Sequence, residues 1–97
     1  MTDGSRGVAV ARRVEIRNEK GLHARASAKF VEVVERFDAR ARVCKDGLEA
    51  AGDSIMGLLM LAAAKGTFID VKAEGPEARE LLDALDALVA DLFGEGM

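Results

Sequence analysis

What most restricts this chain is that its apolar residues keep changing spacing, with stretches of period two alternating with stretches of helical period, all within 97 residues. Strands and helices must therefore share one hydrophobic core, because a chain of this length supports only one. From Arg12 onward, Val14 and Ile16 alternate with Arg13, Glu15 and Arg17, which predicts a half-buried strand closed by Asn18 to Gly21. Ala24 to Phe37 carries Phe30, Val33, Val34 and Phe37 at helical spacing, with Lys29, Glu32, Glu35 and Arg36 on the remaining face, and reads as an amphipathic helix. Ala39 to Lys45 alternates again, Asp46-Gly47 is a hairpin turn signal, and Leu48 to Ala51 returns as a short strand. The apolar run Ile55 to Ala64 predicts a second helix ended by Lys65-Gly66. Thr67 to Glu74 is the last strand, and Gly75-Pro76-Glu77 opens a final helix with the stripe Leu81, Leu82, Leu85, Leu88, Val89 and Leu92.

The expected architecture is α+β, a β-α-β-β-α-β-α open-faced sandwich with a four-stranded antiparallel sheet covered on one face by three helices. A ferredoxin-like arrangement fits the same elements up to the last helix. Residues 1–11 are expected as a flexible leader, 12–93 as the domain and 94–97 as a C-terminal tail. Fourteen Lys and Arg against 17 Asp and Glu, with four Phe and no Trp or Tyr, provide neither a basic field nor a stacking platform, so no nucleic-acid partner is expected. The run Ile55 to Ala64 is about half of the ~20 residues a membrane span needs, so no membrane insertion is expected. A single His and a single Cys cannot assemble the usual zinc site, and neither a metal nor a cofactor is expected. Cys44 has no partner for an intramolecular disulfide, and Met1 to Arg13 lacks a secretory apolar segment, which together read as a cytoplasmic protein.

His23 stands at the junction between a turn and the first predicted helix. A helix start leaves backbone N–H groups unpaired, here those of Ala24, Arg25 and Ala26, and its partial positive charge suits phosphate. The helix end and the Arg25 guanidinium both oppose a positive imidazole, which leaves a ring nitrogen lone pair for nucleophilic attack. Arg25 can pair with phosphoryl oxygens through its planar fork. No general base lies nearby in the sequence, which fits a carrier better than a hydrolase. A capping or surface histidine fits the same position.

Gly21-Leu22-His23-Ala24-Arg25 resembles the active-site motif of the HPr family, the histidine-containing phosphocarriers of the bacterial phosphoenolpyruvate-dependent phosphotransferase system. Asp53-Ser54-Ile55-Met56-Gly57-Leu58 is similar to the family's second signature, and Gly66-Thr67 and Ala73-Glu74-Gly75 also correspond, so the likeness covers about residues 12 to 92. The resemblance implies the same open-faced sandwich. It further implies that His23 takes a phosphoryl group on Nδ1 from the phosphohistidine of enzyme I and passes it to a histidine of enzyme IIA or an equivalent acceptor, with Arg25 stabilising the group in transfer. Either the sugar-uptake branch or the nitrogen-related branch of the family is compatible with these motifs. One departure is Ala26, where the family usually has proline; alanine leaves the helix start one more N–H donor.

The apolar residues of the second predicted helix surround it more completely than one buried stripe needs. Full burial is one explanation. A docking patch is the other, and the resemblance implies that Ile55, Met56 and Leu59 meet enzyme I and the acceptors. Ser54 is a good helix cap by residue type, and the resemblance also implies phosphorylation there by a serine kinase/phosphorylase, whose added charge would oppose docking. A carrier that visits several partners is expected to be a monomer. The competing reading from another class is a regulatory or ligand-binding module of ferredoxin-like type that performs no chemistry.

Overall fold

A computed structural model describes residues 8–95. In chain order the elements are β1 (Val8–Glu15), α1 (Ala24–Glu35), β2 (Arg40–Lys45), β3 (Leu48–Ala51), α2 (Ile55–Met60), β4 (Phe68–Gly75) and α3 (Ala78–Ala90), followed by a 3-10 turn over Leu92–Gly94. The order β-α-β-β-α-β-α is the expected one. All three strand pairings are antiparallel and the sheet runs β1-β4-β2-β3. It is thus β4 that fills the slot between β1 and β2, with β1 at an edge, which separates this fold from the ferredoxin-like arrangement.

Alternation in the strands does what the sequence pattern requires. Val14, Ile16, Ala41, Val43, Ala50, Ile69, Val71 and Ala73 bury one sheet face, while Arg13, Arg40, Arg42 and Lys72 project from the other. Phe30, Val33 and Val34 of α1 and Leu81, Leu82, Leu85 and Val89 of α3 close the core from the helical side. Each large side chain so buried contributes roughly 1.5–3 kcal/mol. At the hairpin, Asp46 (φ 49°) and Gly47 (φ 83°) both occupy the left-handed region that a tight two-residue turn demands.

Several boundaries differ from the sequence reading, most of them by a residue or two. β1 begins at Val8, so Val8 to Ala11 are strand where a leader was expected; they pair with Gly75 to Lys72 of β4, whose full length needs partners. Residues 1–7 of that expected leader lie outside the described residues. α1 closes at Glu35, two residues before the expected Phe37. α2 stops at Met60 rather than running to Ala64: Leu61 caps it, Ala62 turns back at φ 51°, and Leu61 and Ala63 are buried. That early stop lets the Ala63 carbonyl accept the Leu22 N–H at 2.9 Å, a tertiary bond that helical periodicity cannot register. The expected tail is also structured at its start, since Gly94 completes the 3-10 turn and Glu95 folds back onto the domain, while residues 96–97 lie outside the described residues.

The closest approach in this region is at Gly21, which sits at φ 64° with Ala63 directly opposite. A Cβ there would stand 2.4 Å from the Ala63 carbonyl oxygen and 2.9 Å from Ala64 Cα, both backbone atoms with little room to move. Adding the cost of a positive φ for a non-glycine residue, Gly21→Ala is expected to destabilise the fold by about 2–4 kcal/mol. Urea denaturation measures this directly, and an unchanged midpoint would contradict the tight packing of this turn.

Candidate active site

His23 is the N-cap of α1, with an extended backbone (φ −77°, ψ −176°). Its carbonyl accepts the helix's first backbone hydrogen bond, from Ser27 N–H at 2.8 Å, which leaves the N–H groups of Ala24, Arg25 and Ala26 without helical partners. The imidazole does not cap them. The turn that delivers His23 is fastened on several sides: Gly21 N–H donates to Asn18 O at 3.1 Å, Leu22 N–H to Ala63 O, and the buried Ser27 hydroxyl to Leu22 O at 3.1 Å. The His23 ring therefore stands at the helix mouth on a backbone held by several hydrogen bonds.

One partner of that ring comes from the far end of the chain. His23 Nε2 is in hydrogen-bonding contact with Glu95 Oε2, and the two side chains are only 26% and 13% exposed. The other ring nitrogen, Nδ1, has no hydrogen-bond partner among the described residues. Asn18, fully buried, donates from Nδ2 to the Gly21 carbonyl at 2.8 Å and to Glu95 Oε1 at 3.1 Å. Burial pushes the Glu95 carboxyl up, but the hydrogen bonds from His23 and Asn18 and the nearby Lys20 charge outweigh it, so the carboxyl is held below its ordinary range. Reasoning from sequence found no base for His23 and missed Glu95, because nothing near His23 announces a residue 72 positions away.

The path of the chain to Glu95 is itself unusual. Leu92 (φ 55°) and Phe93 (φ 54°) both lie in the left-handed region, each at a cost of order 1–3 kcal/mol for a non-glycine residue. They are held there by complete burial of Phe93 and by Lys29 Nζ, which donates to the Phe93 carbonyl at 2.8 Å.

The remaining residues singled out from sequence fall as follows. Arg25 is exposed on the first turn of α1 and makes no ion pair among the described residues; Ala24 is exposed and Ala26 fully buried. Ser54 is the N-cap of α2, its Oγ accepting the Gly57 N–H at 3.0 Å. Of the suggested docking residues, Ile55 and Met56 are exposed, Met56 at 68%, while Leu59 is half-buried; Leu58 and Leu61 point inward. Met60, one of the apolar residues surrounding this helix but outside the three that the resemblance implies for docking, is the most open of the group at 74%. α2 packs against α1, so this apolar surface and the His23 helix belong to the same side of the sandwich. Among the described residues no group of His, Cys, Asp and Glu could hold a metal ion, and no helix is long and apolar enough to cross a membrane.

Residues 10–91 match the family described as "PTS HPr component phosphorylation site". The chain belongs to the HPr family. A phosphocarrier protein HPr from Neisseria meningitidis serogroup A is 47% identical over 83 residues, covering 86% of this chain and 93% of that protein. The phosphocarrier protein NPr of Escherichia coli K12 is 44% identical over 87 residues, covering 89% and 97%. Among solved structures, an HPr from Thermoanaerobacter tengcongensis superposes with a TM-score of 0.86 at 35% identity, covering 91% of this chain and 99% of its own, and an HPr from Bacillus anthracis with 0.80 at 40% identity, covering 84% and 98%. Fold and phosphotransfer role are therefore those of the HPr family, and a ferredoxin-like module without chemistry is not favoured. Relatives of similar identity carry the HPr and the NPr names alike.

Proposed function

We propose that this protein is a cytoplasmic phosphocarrier that accepts a phosphoryl group on Nδ1 of His23 from the phosphohistidine of enzyme I and hands it to a histidine of enzyme IIA or an equivalent acceptor. In loading, the Nδ1 lone pair forms a bond to phosphorus as the bond from phosphorus to the donor ring breaks, its electron pair staying with that ring. Onward transfer reverses the roles, with the acceptor nitrogen attacking and the Nδ1 electron pair returning to His23. No water is consumed.

The observation that carries this reading is the asymmetry of the ring. Nε2 is engaged by Glu95, while among the described residues Nδ1 is unpartnered, beside a helix start whose first N–H groups are unspent. The N–H groups of Ala24, Arg25 and Ala26 receive the phosphoryl oxygens, and Arg25 swings its exposed guanidinium onto them. A helix start stabilises an anion by roughly 0.3–1 kcal/mol, up to about 2 when partly buried, so the cargo is held without being trapped.

Ile55, Met56 and Leu59, extended by Met60, form the surface on which donor and acceptor dock in turn, helped by the adaptability of methionine. The protein works as a monomer, which keeps this face uncovered between visits. Ser54 is the regulatory position: a phosphate on its Oγ suits the start of α2, yet brings roughly −1.5 to −2 charges beside Ile55 and Met56, and a serine kinase/phosphorylase would set its level.

Incubation with enzyme I and labelled phosphoenolpyruvate is expected to load one acid-labile phosphoryl group on the wild type and none on folded His23→Ala; undiminished labelling of that variant would overturn the assignment. In the same assay Ser54→Asp is expected to take up label about tenfold more slowly, by analogy with the charge cost at a desolvated contact. Uptake at the wild-type rate would remove Ser54 from the docking account.

A further inference from the structure

We propose that Glu95, itself held by Asn18, is a positioning residue that locks the neutral His23 ring with its proton on Nε2, and thereby makes Nδ1 the nitrogen available to phosphorus. The inference rests on the reading of His23 as phosphoryl acceptor and explains which of its two nitrogens does the work.

An ionised carboxylate can only accept hydrogen bonds, so the ring atom facing Glu95 Oε2 must carry the proton. In a neutral imidazole that leaves the lone pair on Nδ1. The same device, a carboxylate fixing one imidazole nitrogen so that the other is free to act, orients histidines in metal sites and in hydrolytic triads. For it to work, the carboxylate must stay ionised and must not rotate away.

Asn18 meets the second requirement. Its two Nδ2 hydrogens go to two acceptors, the Gly21 carbonyl and Glu95 Oε1. Reversing the amide would set Oδ1 against both of those oxygens, so the orientation is dictated by its neighbours. Among the described residues Oδ1 is buried without a partner, an unsatisfied group of the kind that calls for an explanation. The explanation offered by the geometry is that both donors of Asn18 are needed, one to brace the turn before His23 and one to aim Glu95. Since Asn18, Gly21 and His23 belong to the same rigid turn, the aim is transmitted directly to the ring.

The charged groups around Glu95 agree with an ionised state. Lys20 bears on its carboxylate, which also accepts hydrogen bonds from His23 and Asn18, and Lys29 Nζ, on α1, reaches the preceding residues at the Phe93 carbonyl. The left-handed backbone at Leu92 and Phe93 buries the Phe93 side chain and brings the chain back to this spot. In the loaded state, bonding of phosphorus to Nδ1 places positive charge on the ring, with the Nε2 proton retained. Glu95 faces that charge.

The test is the tautomer itself, read from the nitrogen shifts of the His23 ring in 15N-labelled protein at a pH where the ring is neutral. Wild type is expected to show one tautomer, with Nε2 protonated and Nδ1 bare. Glu95→Leu, which keeps bulk at a largely buried position but removes both acceptor oxygens, is expected to shift the ring toward a mixture and to slow phosphoryl uptake from enzyme I by about 10-fold or more, the usual range for loss of an orienting partner. A mixture in the wild type, or a proton on Nδ1, overturns the proposal before any variant is made. So does a single tautomer unchanged in Glu95→Leu with its amide spectrum otherwise intact. If the tautomer behaves as expected but His23 takes no label, it is the carrier reading that fails, and the two failures are told apart by their separate readouts.

Discussion

Leu22 gives its N–H to the Ala63 carbonyl, with Gly21 packed so closely against the same residue that no side chain could stand between them. His23 depends on this backbone contact. A histidine on a free loop would sample many orientations and meet the helix start only occasionally, whereas here the turn is welded to the segment that follows α2. The contact also explains why α2 is short. Its chain leaves the helix at Leu61 and turns at Ala62 to present the Ala63 carbonyl, so the helix that exposes Ile55, Met56 and Met60 and the turn that holds the His23 ring meet at one hydrogen bond.

Much of the architecture was legible because strands and helices repeat apolar residues at different periods. Val14 and Ile16, Ala41 and Val43, and Ile69, Val71 and Ala73 stand out against charged neighbours, and the Asp46-Gly47 turn names its own conformation. The first half of β1 was not legible, for a physical reason: Ala9 and Ala11 lie on the exposed face, so Val10 alternates with small apolar residues rather than with charges and the contrast disappears. Strand order, too, is decided by tertiary packing, which places β4 centrally.

At the site, His23 and Arg25 were legible from a turn-to-helix junction, and Ser54 from its aptness as a cap, an expectation that its bond from Gly57 bears out. Glu95 was not. Its role arises only when α3 ends, the chain turns through two left-handed residues and a carboxylate arrives beside a ring on another element. Local patterns carry the proposed nucleophile and the helix start beside it, while the carboxylate that meets the ring comes from topology. Met60 is a milder instance, since helical spacing marks it as apolar but only packing against β3 and α1 decides that Leu58 turns inward and Met60 outward.

Membership in the HPr family and the geometry at His23 meet in one claim, that phosphorus is carried on the ring nitrogen facing away from Glu95. Loading 15N-histidine-labelled protein from enzyme I and phosphoenolpyruvate, and reading the phosphorus–nitrogen coupling by NMR, tests it most directly. The account predicts phosphorus bonded to Nδ1 of His23; phosphorus on Nε2, or on any other residue, would contradict it.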